Sequence, residues 1–201
     1  MKLKVLELAV SVFVILLLMI LHEFSKAVCC WLLLKHENGK NCMPKMFHLH
    51  KYLDPIGGIL GVVAYAGFSK PYMFRLRNPK KNFIIGSIGI LVLLAIFGVS
   101  ILVLKNENIS QNIILSGEGL QKVLVQLFWI YMAILSGGML LVNLFPVSVF
   151  DMGLLIAGCS ARHYLGIIKN DMIIKSVLLF SMAIGLIRRI VFVIISFFLA
   201  L

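Results

Sequence analysis

The chain has 201 residues, of which 61% are hydrophobic and only 13% charged, with a mean hydropathy of +1.05. Soluble domains carry about 45–50% apolar and about 25% charged residues, so the composition excludes an ordinary soluble domain and predicts a single membrane-embedded domain over residues 1–201. The net charge of +11 raises nucleic acid as a partner. The basic residues, however, lie in short loops beside apolar runs, the positive-inside pattern, so the partner is the lipid bilayer and no nucleic acid is expected.

The first apolar run extends from about Val5 to Leu34. Its start, Met1-Lys2-Leu3-Lys4, imitates a secretory leader, but the apolar core of a leader is about 7–15 residues long. This run is roughly twice that length and contains His22 and Glu23, which predicts a membrane helix rather than a cleaved segment. Inside it lie His22-Glu23-Phe24-Ser25-Lys26. Ionisable side chains in a membrane-length helix are costly, rare and usually functional. The pattern is one residue away from H-E-x-x-H, in which two histidines one turn apart hold zinc and the glutamate activates water. Here Lys26 takes the place of the second histidine. Cys29, Cys30, Cys42 and Cys159 show no C-x-x-C spacing, which speaks against a zinc ribbon or a disulfide framework. Cys29 lies about 10 Å along the helix from His22, too far to share one metal ion with it. Cys29 and Cys30 are therefore expected to be buried apolar thiols.

A polar, lysine-rich segment follows from Lys35 to Asp54, with His36, His48 and His50. The next apolar piece, Ile56 to Phe68, is glycine-rich and too short for a bilayer core, which needs about 20 helical residues. It suits a re-entrant piece or one buried among other helices. Asp54-Pro55 reads as its N-terminal cap, an aspartate accepting from free backbone N–H groups before a proline at the first helical position. Ser69 to Asn82 is strongly basic, Phe83 to Leu104 a clean span, and Lys105 to Lys122 polar and charge-balanced. Val123 to Phe145 spans again and leads into Pro146 to Asp151. A mildly basic stretch, 159–172, precedes a last apolar region, 173–201, which Arg188 and Arg189 interrupt; a single span, a tilted helix and a hairpin are all compatible with it. The basic loops 35–54, 69–82 and 159–172 belong together in the cytoplasm, and the first two share a side only if residues 56–68 do not cross. Trp31, Trp129, Tyr65 and Tyr72 read as interface anchors. The expected fold is thus all-α, a polytopic bundle of about four to six membrane segments with one short, re-entrant candidate, in a cell membrane of prokaryotic type.

Several ordered pieces carry a family resemblance. They are His22-Glu23 on the first span, Asp54-Pro55-Ile56-Gly57, Gly67-Phe68-Ser69-Lys70-Pro71, Arg77-Asn78-Pro79-Lys80-Lys81 and the run Asn143-Leu-Phe-Pro146-Val-Ser-Val-Phe-Asp151. In this order, over residues 20–153, the chain resembles the site-2 proteases, zinc metalloproteases that cut substrates within the membrane; residues 173–201 are an extra C-terminal segment. The resemblance implies His22 and Asp151 as zinc ligands, Glu23 as the general base and Asn143 as a residue that holds the substrate backbone. Asn143 has a plainer reading as a side chain satisfying carbonyls freed by Pro146. The chain departs from the family's pattern at Lys26, at Leu94 where an asparagine is expected, and at Ser148 and Met152 around Asp151.

The lysine changes the chemistry. An amine binds metal only when deprotonated, and its reference pKa is about 10.4; as an ammonium it repels a metal ion. Glu23 and Lys26 are i,i+3 neighbours, and Asp151 can join them across the bundle, leaving a satisfied polar cluster where the resemblance implies zinc. The resemblance therefore implies a zinc-deficient pseudoprotease that binds a membrane-spanning protein or partner helix. The alternative is an active intramembrane endopeptidase with a substitute third ligand, for which His48 or His50 are candidates. A proton relay through Glu23, Lys26 and Asp151 is a third reading, although no inverted repeat accompanies it.

Overall fold

The computed structural model describes residues 2–34, 48–71, 76, 78–106 and 120–200. Among them the chain forms α1 (Lys2–Leu34), a short 3-10 turn (Leu49–Tyr52), α2 (Pro55–Ala64), α3 (Pro79–Asn106), α4 (Leu120–Asn143), α5 (Asp151–Cys159), α6 (Ala161–Ala183) and α7 (Leu186–Ala200), with no strand. The all-α expectation holds for these residues. Helices α1, α3 and α4 are long and apolar enough to cross a bilayer, and α6 with α7 passes the same test as a pair bent by 63°. Outward faces are apolar as well: Val63 is 70% exposed and Val193 68%, as befits a surface solvated by acyl chains rather than water.

One core joins Val14, Ile15, Leu18 and Met19 of α1 to Leu93 of α3 and to Met132, Leu135 and Met139 of α4. A second gathers Ala133 and Val142 of α4, Ile101 and Leu104 of α3, Leu178 and Met182 of α6, and Ile187, Val191 and Ile195 of α7. Serines within the long helices turn back on their own backbone, Ser100 Oγ donating to Ile96 O and Ser136 Oγ to Met132 O. In an apolar surrounding an unpaired hydroxyl is costly, and the carbonyl one turn earlier is the nearest acceptor. Cys29 and Cys30 are buried among Ile85 and Leu154 as apolar thiols; Cys42 lies outside the described residues.

The segment too short to span folds as a hairpin. Asp54 caps α2 by accepting from Gly57 N at 2.9 Å, with Pro55 at the first helical position. The helix stops at Tyr65, whose φ of 53° reverses the chain, and residues 66–70 return alongside it. Lys70 N donates to Tyr52 O at 3.0 Å, so the hairpin begins and ends at one level. Gly57 is needed here, because a Cβ on it would strike the Phe68 carbonyl. Tyr65 forms the hairpin tip, its carbonyl against Gly138 of α4. Tyr72 lies outside the described residues.

The C-terminal region also differs from its expected boundaries. Residues 161–172, read as a basic loop, are helical from Ala161 onward, started by Ser160, whose side chain accepts from His163 N. The apolar region 173–201 is not one unit: it is the second half of α6 plus α7, broken at Gly185, where φ is +72°. A glycine tolerates that backbone without a Cβ clash.

Candidate functional site

The ionisable residues of α1 meet the start of α5. His22, Glu23 and Lys26 project from one side of α1 and are 0%, 1% and 5% exposed, while Asp151 opens α5 fully buried. Lys26 Nζ stands 2.7 Å from Glu23 Oε1 and 2.9 Å from Asp151 Oδ1. His22 Nε2 lies 2.7 Å from the other Asp151 oxygen, Oδ2. On the far side of the ring, Nδ1 lies 3.0 Å from Ser69 Oγ and 3.2 Å from Glu23 Oε1. Ser69, on the returning arm of the hairpin, donates to Glu23 Oε1 at 2.7 Å. The residues thus form a closed ring that joins α1, the hairpin and α5.

Hydrogen-bond accounting gives the charge of this ring. Ser69 spends its proton on Glu23, so its oxygen accepts from Nδ1–H of His22. One further proton lies between Nε2 and Asp151 Oδ2. Whichever atom holds that proton, the cationic lysine, the carboxylate of Glu23 and the His22–Asp151 pair sum to zero. Isolated buried charge is prohibitive in an apolar medium, but a paired and hydrogen-bonded set is tolerated. Among the described residues, no buried side-chain nitrogen or oxygen is left without a hydrogen-bond partner.

Close packing holds Asp151 where it is. Gly89 and Gly86 of α3 face it, and a Cβ on Gly89 would fall within its carboxylate while one on Gly86 would meet its carbonyl oxygen. The turn leading into α5 is clasped from α6: Ser148 N donates to Asp171 Oδ1 at 2.9 Å, and Tyr164 Oη donates to Ser148 O at 3.2 Å. Asp171 is itself paired with Lys175 at 2.5 Å.

The donor set does not fit a zinc ion. A catalytic zinc takes three protein ligands, whereas the two donors that the resemblance implies, His22 and Asp151, are bonded to each other. Lys26, where the sequence pattern lacks a second histidine, is instead an ammonium bonded to Glu23 Oε1 and Asp151 Oδ1. Among the described residues, no three His, Cys, Asp or Glu side chains are grouped to hold a metal. His48 and His50 are exposed on the 3-10 turn with their rings 5.8 Å apart, and do not join the ring of charges.

Asn143, buried at the end of α4, donates from Nδ2 to Met139 O at 2.9 Å. The carbonyl left by Pro146 is instead satisfied by Phe145 N, which donates to Val142 O at 3.1 Å. Leu94 is 52% exposed on the outer face of α3. Ser69 and the Asp171–Ser148 clasp are the participants that sequence reasoning did not single out. The available signal for Ser69 was a hydroxyl in the return arm of a short apolar segment, directly before a lysine. No protein-family model matches the chain, and no curated protein or solved structure matches it.

Proposed function

We propose that the chain is a site-2-protease-like membrane protein that works without zinc, a pseudoprotease that binds membrane-protein segments rather than cutting them. The observation that carries this reading is the position of Lys26 Nζ, 2.7 and 2.9 Å from the two carboxylates that the resemblance assigns to base and metal ligand. The ammonium supplies the positive charge that the metal would bring, and it occupies both carboxylates. Lys26 and Ser69 both engage Oε1 of Glu23, which ties the would-be base into an ion pair rather than leaving it to take a proton from water. The meeting of His22 with Asp151, from motifs far apart in the sequence, supports the resemblance itself.

In this reading α1, α3 and α4 cross the bilayer, α6 and α7 form one further bent span, and residues 55–70 are a re-entrant hairpin opening to the basic, cytoplasmic side. An apolar cleft of about 470 Å³ between α1 and α2, lined by Val12, Leu16, Pro55, Ile59 and Val63, offers a membrane segment greasy surface beside that hairpin. The test is photo-crosslinking from Ile59 and Val63 in native membranes, coupled to a peptide-release assay on the captured single-span proteins. Capture without cleavage, unaffected by a zinc chelator, is the expected result; chelator-sensitive cleavage would overturn the reading.

A further inference from the structure

Arg188 and Arg189 follow directly on the Gly185 break and are both exposed. Their depth can be read from α7's packing. A Cβ on Gly137 of α4 would lie 3.0 Å from the Phe97 ring of α3 and 3.3 Å from Val191 Cγ1 of α7, so these three residues share one level. Gly137 and Phe97 are each about five residues from the middle of their own spans, Gln121–Asn143 and Pro79–Asn106, or about 7 Å of helical rise. The bilayer core reaches about 15 Å to either side of its centre. Arg188 precedes Val191 by three residues, about 4.5 Å of helical rise, so in either direction along α7 it stays within about 12 Å of the centre. Both arginines therefore sit within the hydrocarbon depth on the outer surface of the bundle.

Arg188 is partly compensated: its guanidinium stacks on Tyr65 at 4.9 Å and reaches the Phe192 ring at 5.6 Å. A ring face attracts a cation but does not neutralise it. Among the described residues neither arginine has a carboxylate partner, and the surface around them is apolar, with Leu186, Ile190 and Val193 exposed. Charged side chains at this depth are rare, and they pair with one another or mark a functional contact. We infer that the Arg188–Arg189 step is a docking point for a partner transmembrane helix that carries an aspartate or glutamate within its span. Charge complementarity selects the carboxylate, and the apolar surround selects a helix lying in the membrane. This contact is on α7, away from the His22–Asp151 ring, and stands independently of whether that ring binds metal.

The test uses the full chain reconstituted in phosphatidylcholine vesicles. The probe is a fluorescent single-span leucine–alanine helix with one glutamate at its midpoint, compared with its glutamine twin by energy transfer at mildly alkaline pH. The glutamate helix binds roughly tenfold tighter or better, the scale of a close ion pair across an interface. R188Q/R189Q removes the difference between the two helices, while R188K/R189K, which keeps the charge, retains most of it. Equal binding of both helices, or a preference unchanged in R188Q/R189Q, overturns the inference. Two further results overturn it in favour of another occupant when no helix preference is present. One is retention of anionic phosphatidylglycerol that R188Q/R189Q abolishes, which indicates a lipid headgroup. The other is energy transfer between labelled copies that the same change abolishes, which indicates a second copy of the chain.

Discussion

The Lys26 amine lies 2.9 Å from the Asp151 carboxylate, although 125 residues separate the two in the chain. That contact ties the first long helix to the start of α5 and closes the ring through His22, Ser69 and Glu23. It is a structural fastening and, in the proposed reading, the charge that stands where a metal would.

If the ring is held by charge balance, removing one cation alone is severe. Lys26→Met leaves two carboxylates buried against a single remaining proton donor pair, and breaking such a buried set costs about 3–5 kcal/mol. Adding Glu23→Gln removes a negative charge and restores the balance, so the double variant is expected to unfold at a higher temperature than Lys26→Met alone. Thermal unfolding in detergent measures both. A Lys26→Met protein as stable as the unaltered chain would mean that the ammonium balances nothing.

The packing of α3 on Asp151 gives a second expectation. Gly89→Ala forces a methyl group into the Asp151 carboxylate, whereas the same change at Gly98 meets nothing within 4 Å. Overpacking of this kind costs about 1–3 kcal/mol, while Gly98→Ala gains up to about 1 kcal/mol from helix propensity. Unfolding midpoints should move in opposite directions for the two variants; a shared direction would show that the close approach at Gly89 is unimportant.

The hairpin sets the topology. Because Lys70 N meets Tyr52 O at 3.0 Å, the segments before and after residues 55–70 lie on one side. In a cysteine-free background, single cysteines at Lys51 and Asn78 should react with an impermeant maleimide from the same side of sealed vesicles. Reaction from opposite sides would mean that the hairpin crosses the bilayer.

The clasp from α6 concerns the turn that delivers Asp151. Asp171→Ala removes the acceptor of Ser148 N, a hydrogen bond to a charged group worth about 1.5–3 kcal/mol. Hydrogen exchange at Ser148 should speed up by roughly tenfold or more, with Tyr164→Phe giving a smaller effect. Unchanged exchange in both variants would remove α6 from the support of the site.

The sequence was most legible where chemistry and expense coincide. Ionisable residues in a membrane-length helix attract notice, which singled out His22, Glu23 and Lys26; their meeting with Asp151 was implied by the resemblance carried by the Asn143–Asp151 run. The Asp54–Pro55 cap and the short run after it likewise announced a segment that does not span. Ser69 was hidden because a serine at the edge of an apolar run reads the same whether it serves another element or, like Ser100, its own backbone. Asp171 was hidden in a stretch whose Arg162, His163 and Lys169 resembled a loop; only the fold reveals that Ser160 starts a helix there and that one face of it clasps Ser148. The stacking of Arg188 on Tyr65 depends on the Gly185 break, and a lone glycine in an apolar run does not state which way the chain turns.

The most direct test of the central claim, that Lys26 stands where a metal would, is metal analysis of the detergent-purified protein beside a Lys26→His variant. The unaltered chain should carry well under one zinc per molecule. Lys26→His puts a second imidazole one turn from His22 with Asp151 in reach, and removes the charge that repels the ion, so its zinc content should approach one per chain and be lost again on adding His22→Ala. Close to one zinc in the unaltered protein, lost on His22→Ala or Asp151→Ala, would contradict the account.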